Sequence, residues 1–230
     1  MILAAPAGAQ EITLDMGGNG SLTNSSLLLI VGITLLSLAP GLAIMVTCFP
    51  FIVTVLSILR QALGLQQSPP NMLIISLALF LTWFVMEPTF MASYEAGIKP
   101  LVAQQIDIVT AFERGIEPFR LFMAGRTDPE TFTQLAAIRE GATYTGTARE
   151  APLSILVPSF MLSEITRAFE IGFLVFLPFL IIDLVVSAIL MSMGMMMVPP
   201  AVVALPFKLA FFVVANGWVL LSGALVRSYS

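Results

Sequence analysis

Residues 176–208 read FLPFLIIDLVVSAILMSMGMMMVPPAVVALPFK. Residues 184–207 of this stretch carry no charge. Gly194 and the pair Pro199-Pro200 are its punctuation. Glycine ends helices because it takes the left-handed conformation without a Cβ penalty, and proline suits the first turn of the next helix. The stretch therefore predicts a helical hairpin. An earlier stretch, residues 50–82, has the same layout: PFIVTVLSILRQALGLQQSPPNMLIISLALFLT. Pro50-Phe51 is followed by Gly64 and Pro69-Pro70, as Pro178-Phe179 is followed by Gly194 and Pro199-Pro200. In both, glycine precedes the proline pair by five residues. Such residues mark any helical turn, so the echo supports two hairpins without establishing a duplication.

The two turns differ chemically. The first is polar, Gln66-Gln67-Ser68; the second is Met195-Met196-Met197-Val198. A turn that only met water has no use for three methionines. Methionine is unbranched and polarizable and adapts to irregular or changing surfaces. The turn thus packs against protein or lines a constriction; alternatively, Met195–Met197 are the last residues of a span, continuing the bias of Met191 and Met193.

Composition sets the class. Of 230 residues, 58% are apolar and 10% charged, and the mean hydropathy is +0.97. Soluble domains carry about 45–50% apolar and about 25% charged residues, so this is an integral membrane protein. The chain has no histidine and one cysteine, Cys48. That removes His-based acid–base chemistry, His-dependent nucleophiles, zinc sites of the usual type and internal disulfides. A net charge of −4 argues against nucleic acid as a partner, and no Gly-rich phosphate loop occurs. No cofactor or metal site is expected. A transporter, a channel part or a structural membrane subunit remains.

Charge is concentrated in the middle. Eighteen of the 24 charged residues lie between Glu87 and Glu170, while 16–59, 61–86 and 209–226 have none. We divide the chain into an N-terminal segment (1–24), a first hairpin (25–94), a polar middle (95–155) and a second hairpin with the methionine tip (156–230). The apolar runs are Leu27–Leu59, Met72–Met91, Ile171–Met193 and Ala201–Val226. The first, as one helix, would be roughly 50 Å long against a hydrocarbon core of about 30 Å. Pro40 and Pro50 inside it predict a kinked long helix. In the middle, Asp107–Met123 spaces Ile108, Val109, Phe112, Ile116, Phe119 and Phe122 as an amphipathic helix. Thr127-Asp128-Pro129-Glu130 opens a short helix reaching about Arg139, and 141–146 reads as loop. The expected fold is all-α: two long kinked helical hairpins joined by a smaller amphipathic helical region, membrane-associated. At the N-terminus, Ala7-Gly8-Ala9 places small residues at −3 and −1 of a cut before Gln10. There is no basic n-region, so this reads as the tail of a signal peptide or as a short disordered tail; the former puts the mature N-terminus outside the cytoplasm.

Charges inside apolar helices are costly and mark a pair or a functional path. Asp183 and Lys208 are equidistant from the Met195–Met196 peptide bond, so an antiparallel hairpin puts them at similar depth. Glu164, Arg167 and Glu170 follow one another at three-residue spacing, and Arg167 can pair with either acid on its own helix. Lys208 could instead pair with Glu164 or Glu170 of a neighbouring subunit. A satisfied ion pair that fixes packing is the simpler reading than a proton relay, which would want more acids or a histidine in the apolar part.

The residues from about 25 onward, and the two quoted stretches above all, resemble the FliP family of flagellar biosynthesis proteins; the injectisome counterpart family is similar. The wording FLIIDLVVSAILMSMGMMMVPP favours the flagellar branch, and 95–150 matches more loosely. The resemblance implies a non-enzymatic core subunit of the flagellar type III protein export gate in the bacterial inner membrane, at the basal body, with a large part facing the periplasm. It implies a homo-oligomer within a hetero-complex with FliQ and FliR, next to FlhB and FlhA, that conducts unfolded flagellar proteins. It further implies a helical cone largely above the membrane plane, a methionine loop at Met195–Met197 closing the channel as a gasket, and Lys208 and Glu164 as charges that bridge subunits.

With an external N-terminus, four hydrophobic segments put both hairpin tips toward the cytoplasm and the polar middle and C-terminus outward. The positive-inside rule adds only Arg60 near the first tip. A secondary transporter would use inverted repeats and a midplane polar site, whereas these hairpins run in the same sense. A membrane enzyme would need convergent titratable groups, and here the acids are scattered.

Overall fold

In the computed structural model the described residues are 29–30, 32–34, 37, 41, 43–65, 69–138 and 146–229. The N-terminal signal reading, Pro40 and the polar tip Gln66–Ser68 fall outside them. The chain divides into two units, Met1–Leu42 and Ala43–Ser230. In the first, the described residues are helical, and the Thr34 hydroxyl donates to the Ile30 carbonyl at 2.7 Å.

The second unit is helical throughout its regular elements: α1 (Phe49–Ala62), α2 (Asn71–Ser93), a π-helical turn (Tyr94–Ile98), α3 (Lys99–Val102), α4 (Ile108–Arg126), α5 (Pro129–Ile138), α6 (Leu153–Ser192), α7 (Pro200–Val214) and α8 (Gly217–Arg227). Among the described residues there is no strand. The all-α hairpin reading holds.

The expected long kinked helix over Leu27–Leu59 is corrected. The backbone turns at Val46–Cys48, where the Thr47 hydroxyl donates to the Ile44 carbonyl at 2.9 Å, and a new helix starts at Phe49. Pro50 therefore sits in the first turn of α1, where its missing N–H costs nothing, rather than at a mid-helix kink. The run expected at Ile171–Met193 starts earlier, at Leu153, and is one 40-residue helix, about 60 Å long. The run Ala201–Val226 is two helices bent by 61°. The break is Asn216, whose backbone is left-handed at φ 51°; asparagine tolerates that region better than most residues.

The core lies between α1 and α6. Phe51, Ile52, Val55, Leu56, Leu59 and Ala62 are buried, a stripe at helical period. They meet the buried stripe of α6, where Gly172 lets the helices close: a Cβ there would stand 2.3 Å from the Ile58 side chain. A second core joins Met123 of α4 and Phe132 of α5 to Leu156 and Phe160 of α6. It folds the polar middle onto the first half of α6.

The middle helices start as the sequence predicts. The Asp107 carboxylate accepts the Val109 N–H, and the Asp128 carboxylate accepts the Thr131 N–H at 2.8 Å. The Thr110 hydroxyl on Asp107, and the Thr131 N–H and hydroxyl on Asp128, favour the charged form and hold both carboxyls below the ordinary aspartate range. Of the described helices, Asn71–Val102 and Leu153–Ser192 are long and apolar enough to cross a membrane, and the bent pair α7–α8 makes up to three.

The π-helical turn and α4 meet backbone to backbone. A Cβ on Gly97 would stand 2.5 Å from the Ala111 carbonyl and 3.0 Å from the Gly115 Cα, while the Ser93 hydroxyl donates to the Gly115 carbonyl at 2.6 Å. A clash with backbone has no side-chain escape. Gly97→Ala is expected to cost about 1–3 kcal/mol, whereas Gly125→Ala on the same α4, with nothing within 4 Å, is expected to be neutral or stabilising by up to about 1 kcal/mol. Thermal unfolding of the two variants in detergent checks this.

Candidate functional site: a methionine turn between two polar pins

The turn between α6 and α7 is built by its glycine. Gly194 has φ +73°. Its N–H bonds the Met191 carbonyl at 3.1 Å, and the Met195 N–H bonds the Leu190 carbonyl at 3.0 Å. This paired closure satisfies the last carbonyls of α6. Pro199 then caps α7 and Pro200 opens it. The first turn matches: Gly64 has φ +76°, its N–H bonds the Gln61 carbonyl, and Pro70 caps α2 just after Pro69. Arg60 donates to Asn71 across that turn.

Met195–Met197 lie in the turn itself, after the helix has ended at Ser192. They are not the last residues of the span. Their exposures are 40%, 83% and 96%. Below them the arms are stapled by Val186, Leu190 and Ala204. Beside the turn runs a wholly apolar groove of about 520 Å³, lined by Ile181, Val185, Ile189, Met193, Met195 and Phe207 among others.

Lys208 is buried, and its Nζ stands 2.6 Å from Asp183 Oδ2. It also donates to the Ala62 carbonyl at 2.9 Å. Ala62 is the last residue of α1, so this carbonyl has no partner within the helix and sits at the negative end of its dipole. The contact fixes the level of the two turns. Helix α1 ends beside Lys208, while α6 continues nine residues beyond Asp183 to Ser192, about 13 Å further at 1.5 Å per residue.

The second pin is at the other end of α1. Glu164 is fully buried, and Oε1 lies 3.0 Å from Arg126 Nε and 3.5 Å from Arg167 Nη1. Its Oε2 accepts the Tyr229 hydroxyl. Arg126 lies over the Tyr229 ring at 4.1 Å and donates to the Ser228 carbonyl at 2.8 Å. The ring meets Phe51 edge-on at 5.4 Å and stacks on Phe122 at 6.0 Å. Of the two acids open to Arg167, the structure gives it Glu164, and Glu170 stays on the exposed side of α6. Within the chain, Lys208 and Glu164 each have other partners than one another. Arg126 and Tyr229 escaped sequence reasoning: they stand 38 and 65 residues from Glu164, and no periodicity links such distant positions.

Burial and the neighbouring Glu164 carboxylate push the Tyr229 phenol far above its usual range near 10. With the native value raised, this group's contribution to stability is complete below about pH 10 and declines as pH rises beyond it. Tyr229→Phe is expected to lose about 1–3 kcal/mol at neutral pH and to show a shallower alkaline decline than the parent. Arg126→Met, which strips one cation from a buried carboxylate, is expected to lose roughly 3 kcal/mol or more. Denaturation of detergent-solubilised protein at pH 7 and above pH 10 measures both.

The sequence matches the FliP family over residues 32–225. It is 51% identical to the flagellar biosynthetic protein FliP of Caulobacter vibrioides, over 99% of this chain and 86% of that protein. It is 46% identical to the protein of that name from Aquifex aeolicus, over 92% and 89% of the two chains. With the Bacillus subtilis protein it shares 42% identity, over 90% and 93%. An all-helical chain with membrane-length apolar helices, matched along nearly its whole length, belongs to the FliP family.

Proposed function

We propose that this protein is a core subunit of the flagellar type III protein export gate, and that its methionine turn closes the conduit. Membership of a family whose relatives are named flagellar biosynthetic proteins supports an export role in the flagellum. The observation that carries the finer reading is the turn: three methionines, 40–96% exposed, at the end of a hairpin beyond its last helical residue. A seal around changing, unfolded cargo needs soft apolar groups that fit many sequences without specific bonds. Rigid aromatic or hydrogen-bonding side chains would discriminate among substrates.

The exposed apolar faces support assembly. Trp83, Phe84, Phe173 and Val214 are each more than half exposed in the single chain, and lipid and neighbouring subunits are the surroundings that suit them. On this reading copies of the chain assemble with FliQ and FliR, next to FlhB and FlhA, in the bacterial inner membrane, with the polar middle on the periplasmic side; Lys208 and Glu164, buried with partners of their own chain, hold the fold that carries the subunit faces. The reading assigns no catalytic step and no cofactor.

Replacing Met195–Met197 with three alanines is expected to raise the leak of ions and small solutes through the resting gate while export continues, because sealing and conduction are separate tasks. Leak is measured in growing cells against the parent, with the amount of assembled complex checked by affinity purification of FliR. An unchanged leak at equal assembly overturns the gasket role. Failure of the parent chain to co-purify with other export proteins overturns the subunit role.

A further inference from the structure

Lys208 holds more than its ion pair. It is one side chain on α7 that grips three separate pieces: its own helix, Asp183 of α6 and the last carbonyl of α1. Asp183 alone would only register the two arms of the second hairpin. The Ala62 contact joins that hairpin to the first, and it does so where the first hairpin ends. A Cβ on Gly64 would stand 3.9 Å from both Lys208 Nζ and the Leu205 side chain, so the residues just after α1 pack beside the ammonium.

The consequence concerns the methionine turn. Beyond Lys208 and Asp183 the arms of the second hairpin are held to each other by the small cluster of Val186, Leu190 and Ala204. Lys208 supplies a polar tie from this hairpin to α1. A tilt of α7 that shifted the turn would pull Nζ from the Ala62 carbonyl or from Asp183, and either separation strands a charge in an apolar setting. Apolar packing alone lets helices slide by small steps; a lysine held by two partners on two other helices does not.

We propose that Lys208 is a positioning residue for the seal: by capping the carbonyl end of α1 while paired to Asp183, it sets the height and tilt at which Met195–Met197 are presented. This rests on the gasket reading of the turn, and the two are separable by experiment. The measurement is the distance distribution between spin labels at Leu65→Cys and Met196→Cys in a Cys48→Ser chain. The labelled chain is incorporated as a minority into complexes of unlabelled copies. A leak assay runs in parallel. Lys208→Met is expected to broaden the distribution and raise the leak, and Lys208→Arg, which keeps charge and donors, is expected to restore both toward the parent. Lys208→Met with Asp183→Leu removes the stranded carboxylate that a single change would leave, so that folding is preserved; it is expected to remain broad, because the Ala62 contact is still lost. A distribution as narrow as the parent's in that double variant overturns the proposal. Broadening without any change in leak keeps Lys208 as the tie and overturns the seal instead.

Discussion

The fold depends on the seam between α1 and α6, and on the fact that this seam is pinned by a buried charge at each end. The apolar stripe of α1 supplies burial, which is strong but indifferent to small slides along the helix axis. At the start of α1, Phe51 meets Tyr229, whose hydroxyl joins Arg126 and Arg167 on the buried Glu164. At its end, the Ala62 carbonyl takes the Lys208 ammonium. A buried carboxylate or ammonium moved off its partners costs several kcal/mol, so the pins turn a greasy contact into one register. The polar middle, the C-terminal residues and the second hairpin are all fastened to one of the two.

What could be read in the sequence was what depends on near neighbours. Gly64 and Gly194 with their proline pairs declared both turns, because positive φ and a helix start are decided within a few residues. The helix start at Thr127-Asp128-Pro129 was legible for the same reason. Asp183 and Lys208 could be brought together from their equal distance to a turn. The breaks at Val46–Cys48 and at Asn216 run against continuous apolar patterns, yet each carried a local signal: Pro50 at a first helical turn and the Asn216-Gly217 dipeptide. The Glu164 cluster carried none. Its members come from α4, α6 and the residues after α8, and which distant side chains share a carboxylate is decided by tertiary packing. The Ala62 carbonyl is a main-chain group that every residue possesses, so no residue type could mark it.

The apolar excess that identifies a membrane protein is thus divided among three uses. Part forms the seam and the second core. Part lies on the outer faces of α2, α6 and α7, for lipid or for other chains. The remainder is the methionine turn, which gains nothing within its own chain: its side chains are exposed, and the turn geometry rests on Gly194 and on backbone bonds. The proposed assembly, in which several such turns meet, would give a use to residues that the single chain does not need.

Whether several such turns meet in the assembled gate can be read by disulfide trapping. A single cysteine at position 196 in a Cys48→Ser chain, expressed in its native membrane with the other export proteins, is oxidised and the products are sized. The account predicts copy-to-copy disulfides that form with the gate assembled and fall away when the partner proteins are absent. Position 196 remaining single-copy in the assembled gate, while fully open to a water-soluble thiol reagent, would contradict it.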